Sequence, residues 1–104
     1  MADVGVYMIA NLTVHDQDRY LRYEKGFFPI LKKHGGSFVT FDDSIQTFEG
    51  SSPCEGRIVI FRFPSEQAAR DWYDDPEYQT LSEHRRAGAN LHSLTMVHEL
   101  PSRT

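Results

Sequence analysis

Apolar side chains recur at every second position from Val6 to Val14, where Val6, Met8, Ala10, Leu12 and Val14 fall on one face and Tyr7, Ile9, Asn11 and Thr13 on the other. That two-residue period predicts a strand. Beyond it the period lengthens. In HDQDRYLRYEKGFFPILKKHGG, Tyr20, Tyr23, Phe27, Ile30, Leu31 and His34 form one stripe of a helix. Asp16 or Asp18 caps its start and Gly35-Gly36 ends it. Pro29 has no N–H to donate and crowds the carbonyl of Lys25, so a kink or a break into two pieces is expected near Gly26. SFVTFDDSIQTFEG, residues 37–50, predicts a strand interrupted around Asp42-Asp43-Ser44 and then resumed. SSPCEG is a polar loop with turn residues, and it leads into RIVIFRF, residues 57–63, the strongest strand of the chain.

Ser65 caps a second helix, in which Ala69, Trp72 and Tyr73 make a buried i, i+3, i+4 group. At DDPEY the helix starts afresh, with Asp75 as cap, Pro76 in the first helical position and Glu77 at the positive end of the dipole. Tyr78, Leu81 and Arg85 share one face of this segment, and Gly88 stops it. HSLTMVHEL, residues 92–100, alternates again and supplies a fourth strand. The order βαββαβ, joined by right-handed split crossovers, predicts an α+β, ferredoxin-like fold: a four-stranded antiparallel sheet with two helices on one face. A chain of 104 residues suits a single domain spanning 1–104.

RIVIFRF carries an expectation about assembly as well. Val59, Phe61 and Phe63 lie on one face and Ile58 and Ile60 on the other, so both faces are apolar while helices cover one. Left bare, the second face would form a continuous apolar patch of a kind monomers rarely expose. Covering on the order of 500 Å² of it contributes roughly 12 kcal/mol, at about 25 cal/mol per Å², before the costs of association. A homodimer through sheet faces is the expected cover.

Composition narrows the partners. The hydrophobic share is 39% and the charged share 25%, as in globular domains, and seven Phe, five Tyr and one Trp supply an aromatic-rich core. A net charge of -4 gives no basic field for phosphates, and Lys32-Lys33 and Arg85-Arg86 are too short for a polybasic tract, so no nucleic-acid partner is expected. No run of about 18 apolar residues appears and MADVGVYMIANL has no positive leader, which points away from membranes and towards the cytoplasm. Cys54 is the lone cysteine and cannot form an internal disulfide.

Taken together, ANLTVHDQDRYLRYEKGFFPILKKHGGSF, FEG, RIVIFRFPSEQAARDWYDDPEYQTLSEHRRAG and the last strand resemble the DUF1330 family of dimeric α+β barrel proteins. The resemblance runs from about Val6 to about Glu99. It implies a homodimer of two ferredoxin-like sheets packed face to face, with a cavity in each subunit between sheet and helices. The family's activity is undefined. Relatives of the barrel plan include cofactor-free monooxygenases, muconolactone isomerase-like enzymes, dye-decolorising peroxidases and stress-response proteins, so the fold leaves the reaction open.

The chemistry-bearing residues suggest a small-molecule site. The five histidines lack metal-ligand spacing; His92 and His98 share a face of the last strand in this register, but six residues at about 3.3 Å each part them too far for one ion. No metal and no cofactor is expected. No G-x-S-x-G is present and HGGSF follows a helix instead of opening one, which argues against acyl-enzyme chemistry and phosphate binding. Tyr23, Trp72 and Tyr78 stand at core-facing positions, but their polar atoms need partners that a pocket edge can supply. Arg85, on the face of Tyr78, is placed to hold a carboxylate or enolate oxygen. His34, at the end of the first helix stripe, and Glu49, just before Gly50, are candidates for moving a proton. Asn11, mid-strand, where a buried amide must be hydrogen-bonded, is expected to mark a polar spot in the cavity. These residues suit a cofactor-independent enzyme, an isomerase, monooxygenase or lyase, acting on a small organic molecule. A non-catalytic ligand-binding or stress-related dimer would use the same cavity.

Overall fold

A computed structural model describes residues 4–101. Residues 1–3, which open the stretch expected to carry no leader, lie outside the described part. Among the described residues the elements run β1 (Val6–Val14), α1 (Gln17–Lys33), β2 (Ser37–Asp42), β3 (Arg57–Phe63), α2 (Glu66–Asp74), α3 (Pro76–Gly88) and β4 (Ala89–His98). The strands form one antiparallel sheet in the order β2-β3-β1-β4, so the two central strands are those with the strongest apolar pattern. This is the expected ferredoxin-like arrangement, with the second helix divided in two at Asp75.

Local chemistry sets the helix ends. The Asp16 carboxylate accepts from the Arg19 backbone N–H at 3.2 Å, the Ser65 hydroxyl from that of Ala68 at 3.1 Å, and the Asp75 carboxylate from that of Glu77 at 2.9 Å. Each satisfies a donor that the first turn leaves orphaned. α1 runs unbroken through Pro29, so the expected division into two pieces near Gly26 does not occur. Gly26 has another role: a Cβ there would lie 2.6 Å from Leu81 Cδ1, so its missing side chain is what lets α3 lie close against α1. The same holds at the other end of the pair. Gly88 sits against the start of α1, where its carbonyl accepts from the His15 and Asp16 N–H groups at 2.9 and 3.0 Å. The two helices therefore run antiparallel across the sheet.

One sheet face carries the core. Val6, Met8, Ala10 and Leu12 of β1 and Phe61 and Phe63 of β3 are buried under α1, α2 and α3, which contribute Tyr20, Tyr23, Phe27, Leu31, Ala69, Trp72 and Tyr78. Tyr73 does not join them. It is 41% exposed, because α2 ends at Asp74 and the bend at Asp75 leaves its outer side uncovered. The strand expected to resume after Ser44 is absent as well: β2 ends at Asp42, and residues 43–56 form a loop fixed by its side chains. A register shift between Asn11 and Leu12, opposite residues 91–93 of β4, also separates His92 from His98. His92 bonds Thr13 Oγ1 on the open face at 2.8 Å, whereas His98 bonds Glu66 of α2 at 2.9 Å on the helix side. The face they were expected to share is thus divided by one extra residue.

The open face presents Tyr7, Ile9, Ile58, Ile60, Thr95 and Val97. Ile58 and Ile60 are half-buried, and Val97 is exposed.

Two ion-pair clusters tie the chain ends of these elements and make stability depend on acid. Asp75 receives His34 Nε2 at 2.8 Å and Lys33 Nζ at 2.9 Å, and these bonds hold its carboxyl well below its ordinary value of 3.8. Glu99 is bonded by Arg62 at 2.8 Å and by the Gly5 N–H at 3.0 Å, and the guanidinium lowers it from 4.5 to about 2. A carboxyl depressed in the folded state adds stability above its unfolded value, and that increment is lost as pH falls through the folded one. The melting temperature is therefore expected to drop between pH 4.5 and about 2. The double variant Asp75→Asn, Glu99→Gln should show a flatter profile over that window, measured by circular dichroism melts.

Candidate functional site

Between the helices and the sheet lies a cavity of about 220 Å³, open on one side. Its floor is Ala10 and Leu12 of β1 with Val59 and Phe61 of β3; α1 supplies Tyr20, Tyr23, Glu24 and Phe27, and α3 supplies Tyr78 and Arg85. Phe38 and Phe41 of β2 and Leu91 and Leu94 of β4 complete the rim. A register shift between Phe38 and Thr40 puts both phenylalanines, three residues apart, on the helix side. They stay 42% and 60% exposed on the edge strand, Phe38 packed against Phe27 and Phe28 of α1. The result is a largely aromatic slot, of the apolar kind that takes small organic ligands.

Two arginines enter this slot, and their surroundings differ. Arg57 is neutralised. Its Nε bonds Asp43 Oδ1 at 2.6 Å and its Nη1 bonds Glu24 Oε1 at 2.8 Å, while the guanidinium lies 5.1 Å from the Phe41 ring centre and 5.5 Å from that of Tyr20. Both carboxylates raise its affinity for its proton, the Asp43 bonds most. Arg85 is 5% exposed, lies 5.9 Å from the centre of the Tyr23 ring, and among the described residues no carboxylate reaches it. A guanidinium so little exposed is stabilised by a negative group beside it.

Beside Arg85 stand the phenols. Tyr23 and Tyr78 hydroxyls bond each other at 2.9 Å. Burial first, and the Tyr78 hydroxyl second, push the Tyr23 phenol well above its usual value of 10.0, so it keeps its proton. Burial likewise pushes Tyr20 up to about 12, against the opposing pull of the Arg57 charge.

Of the residues singled out in the sequence, the fold brings Tyr23, Tyr78 and Arg85 together in the cavity wall. Trp72 is fully buried behind Tyr78, with ring centres 4.1 Å apart, and its Nε1 finds no partner among the described residues. It supports the wall without lining it. Asn11 is buried on the opposite face of the sheet, where its amide donates to the Glu55 and Arg57 carbonyls at 2.8 and 3.1 Å and pins the loop before β3. His34 caps α1 from outside, bonded to Asp75. Glu49 is exposed in the loop after β2. Neither reaches the cavity.

Tyr20, Glu24 and Arg57 belong to the site although their types and positions did not single them out. One signal was available: Glu24 follows Tyr20 by four residues on the face of α1 adjoining the Tyr23 stripe. Among the described residues no group of three potential metal ligands assembles, and no helix is long and apolar enough to cross a membrane.

Solved structures of the same fold extend this description. A protein of unknown function from Rhodopseudomonas palustris superposes with a TM-score of 0.73 at 16% identity, covering 99% of this chain and 86% of its own. SnoaB, a cofactor-independent oxygenase from Streptomyces nogalater, gives 0.56 at 16% identity, with 99% and 96% covered. A conserved protein of unknown function from Bacteroides thetaiotaomicron, a possible oxidoreductase, gives 0.61 at 14% identity, with 94% and 100% covered. At such identities the likeness establishes the fold alone. No curated protein matches the sequence. Residues 5–100 match the domain of unknown function DUF1330, and the chain, on the α+β barrel fold of these neighbours, belongs to that family.

Proposed function

We propose that this protein is a cofactor-independent enzyme acting on a small, mostly apolar organic molecule held in the cavity under α1 and α3. The observation that carries the proposal is Arg85: a buried guanidinium with no carboxylate in ion-pairing reach among the described residues, in a slot walled, apart from the Arg57–Glu24 pair, by aromatic and aliphatic side chains. A ligand bringing one negative oxygen completes that charge, and an oxyanion that grows during reaction is stabilised most where water is excluded. SnoaB supports the reading by analogy, as a cofactor-independent oxygenase built on this fold. The carboxylate in the cavity wall is Glu24, and in this reading it takes the proton in place of His34 and Glu49. The reaction belongs among isomerisation, oxygenation and lyase chemistry of an enolisable or phenolic compound.

The open sheet face supports a second part of the proposal, a homodimer through sheet faces. Ile9, Ile58, Ile60 and Val97 make a patch that a second copy of the same face covers, and the helix-side cavity stays free. A cytoplasmic location belongs to the same reading.

A specific observation favours a non-catalytic alternative, ligand binding alone: both proton-moving candidates from the sequence lie outside the cavity. A thermal-shift screen with small carboxylates, phenols and lactones, followed by turnover of each hit, separates the two. The expected result is a hit that is converted, with Arg85→Ala lowering kcat/KM about tenfold to a hundredfold, the range for a charged hydrogen bond. Binding without conversion leaves the alternative. Hits that bind Arg85→Ala as tightly as wild type show that the arginine role is wrong.

A further inference from the structure

The Tyr23–Tyr78 contact leaves an unanswered proton. Two phenolic hydroxyls carry two protons, and one of these makes the 2.9 Å bond between them. The other has no acceptor among the described residues, because neither oxygen makes a further hydrogen bond there. Both tyrosines line the cavity, so its acceptor is the cavity's occupant. A guanidinium likewise offers donors only and does not give up its proton in a protein. Arg85 and the tyrosine pair thus present a charge and a free donor to the same space.

We infer, resting on the reading above, that the cavity binds its ligand as the conjugate base of a weak oxygen acid, a phenolate or enolate, with Arg85 supplying the charge and the tyrosine pair the second hydrogen bond. A single oxygen carrying the charge accepts from both at once. Apart from the Arg57–Glu24 pair, the rest of the wall is hydrocarbon and aromatic, which suits a flat ring or conjugated chain attached to that oxygen. The ligand's own O–H proton has no place beside Arg85 and the tyrosine pair and leaves by way of Glu24 to solvent on binding. A carboxylate also pairs with an arginine fork through both its oxygens, so benzoate is the competing anion that the test must include.

4-Nitrophenol reports its own ionisation by colour and serves as the probe, with nitrobenzene and benzoate as controls. Titrated over pH in the presence of saturating wild-type protein, bound 4-nitrophenol should ionise about one to three pH units lower than free, as for an acid beside a fixed positive charge. Each unit corresponds to about tenfold tighter binding of the anion than of the neutral form. Arg85→Met should abolish the shift, and Tyr23→Phe/Tyr78→Phe, which keeps both rings and tests the idea should Arg85→Met fail to fold, should reduce it. A bound 4-nitrophenol with an unchanged or raised ionisation pH overturns the inference while the cavity remains a small-molecule site. So does benzoate binding that depends on Arg85 when 4-nitrophenol does not bind. If nitrobenzene, benzoate and 4-nitrophenol all fail to bind, the proposed function falls with it.

Discussion

Trp72→Ala should cost about 3–5 kcal/mol of folding stability, the usual range for emptying an aromatic site in a core. Trp72 is fully buried and its ring packs within 4.1 to 6.1 Å, centre to centre, of Tyr78, Phe61, Phe63 and Phe27. It links the central strand β3 and α1 to α3 and supports the inner wall of the cavity. Domains of this size hold about 5–15 kcal/mol in total, so the variant is expected to be near the edge of folding at room temperature. Urea denaturation followed by far-ultraviolet circular dichroism measures the loss. Trp72→Phe should lose less, since a ring remains among the others. A loss under about 1 kcal/mol for the alanine variant would mean that this cluster does not hold the sheet to the helices.

The second large effect concerns the other side of the sheet. Ile60 lies at the middle of the open face, paired with Ile9 of β1 and Thr40 of β2. In a sheet-to-sheet dimer, Ile60→Glu would bury two carboxylates without counter-charges. An uncompensated buried charge costs about 3–5 kcal/mol, and each 1.4 kcal/mol is tenfold in Kd, so the dimer should weaken by more than a hundredfold. In a single protomer the same side chain reaches water, and the far-ultraviolet spectrum should stay unchanged. Sedimentation velocity at micromolar concentration reads both forms. A wild type that sediments as one protomer contradicts the dimer.

Much of this was legible in the sequence because the determinants are local. The two-residue period of β1 and β3, the caps at Asp16, Ser65 and Asp75, and the proline that opens α3 each act within one turn or one strand. Pro29 shows the limit of such reasoning. Its missing donor argued for a break, yet α1 continues through it with Tyr23, Phe27, Ile30 and Leu31 all buried, so packing on both sides of the proline outweighs the lost bond.

The cavity wall was legible in part. Tyr23, Tyr78 and Arg85 came from helical periodicity, which places residues on a face and hence towards the core. Asn11 was right in burial and lies on the opposite face of the sheet from the cavity, since alternation says which residues share a face but not what covers it. His34 ends the apolar stripe of α1, but its last turn has passed beyond the cavity to reach Asp75. Glu49 depended on a strand that does not form. Arg57 and Glu24 join through a contact between the start of β3 and the middle of α1, 33 residues apart, and nothing local announces it. The register shift in β4, which puts Leu91 into the cavity rim and His92 on the other face, is a one-residue event that the alternating pattern alone does not reveal.

The central claim is that a ligand's negative oxygen completes the charge of Arg85 inside the helix-side cavity. Arginine side-chain NMR tests it most directly: the Nε–Hε resonances of Arg57 and Arg85 are followed while 4-nitrophenolate is added to the wild-type protein. The account predicts a saturable shift of the Arg85 resonance, together with ring signals of Tyr23 and Tyr78, while Arg57 stays held by Asp43 and Glu24. Saturable binding that moves resonances elsewhere and leaves Arg85 unchanged would contradict it.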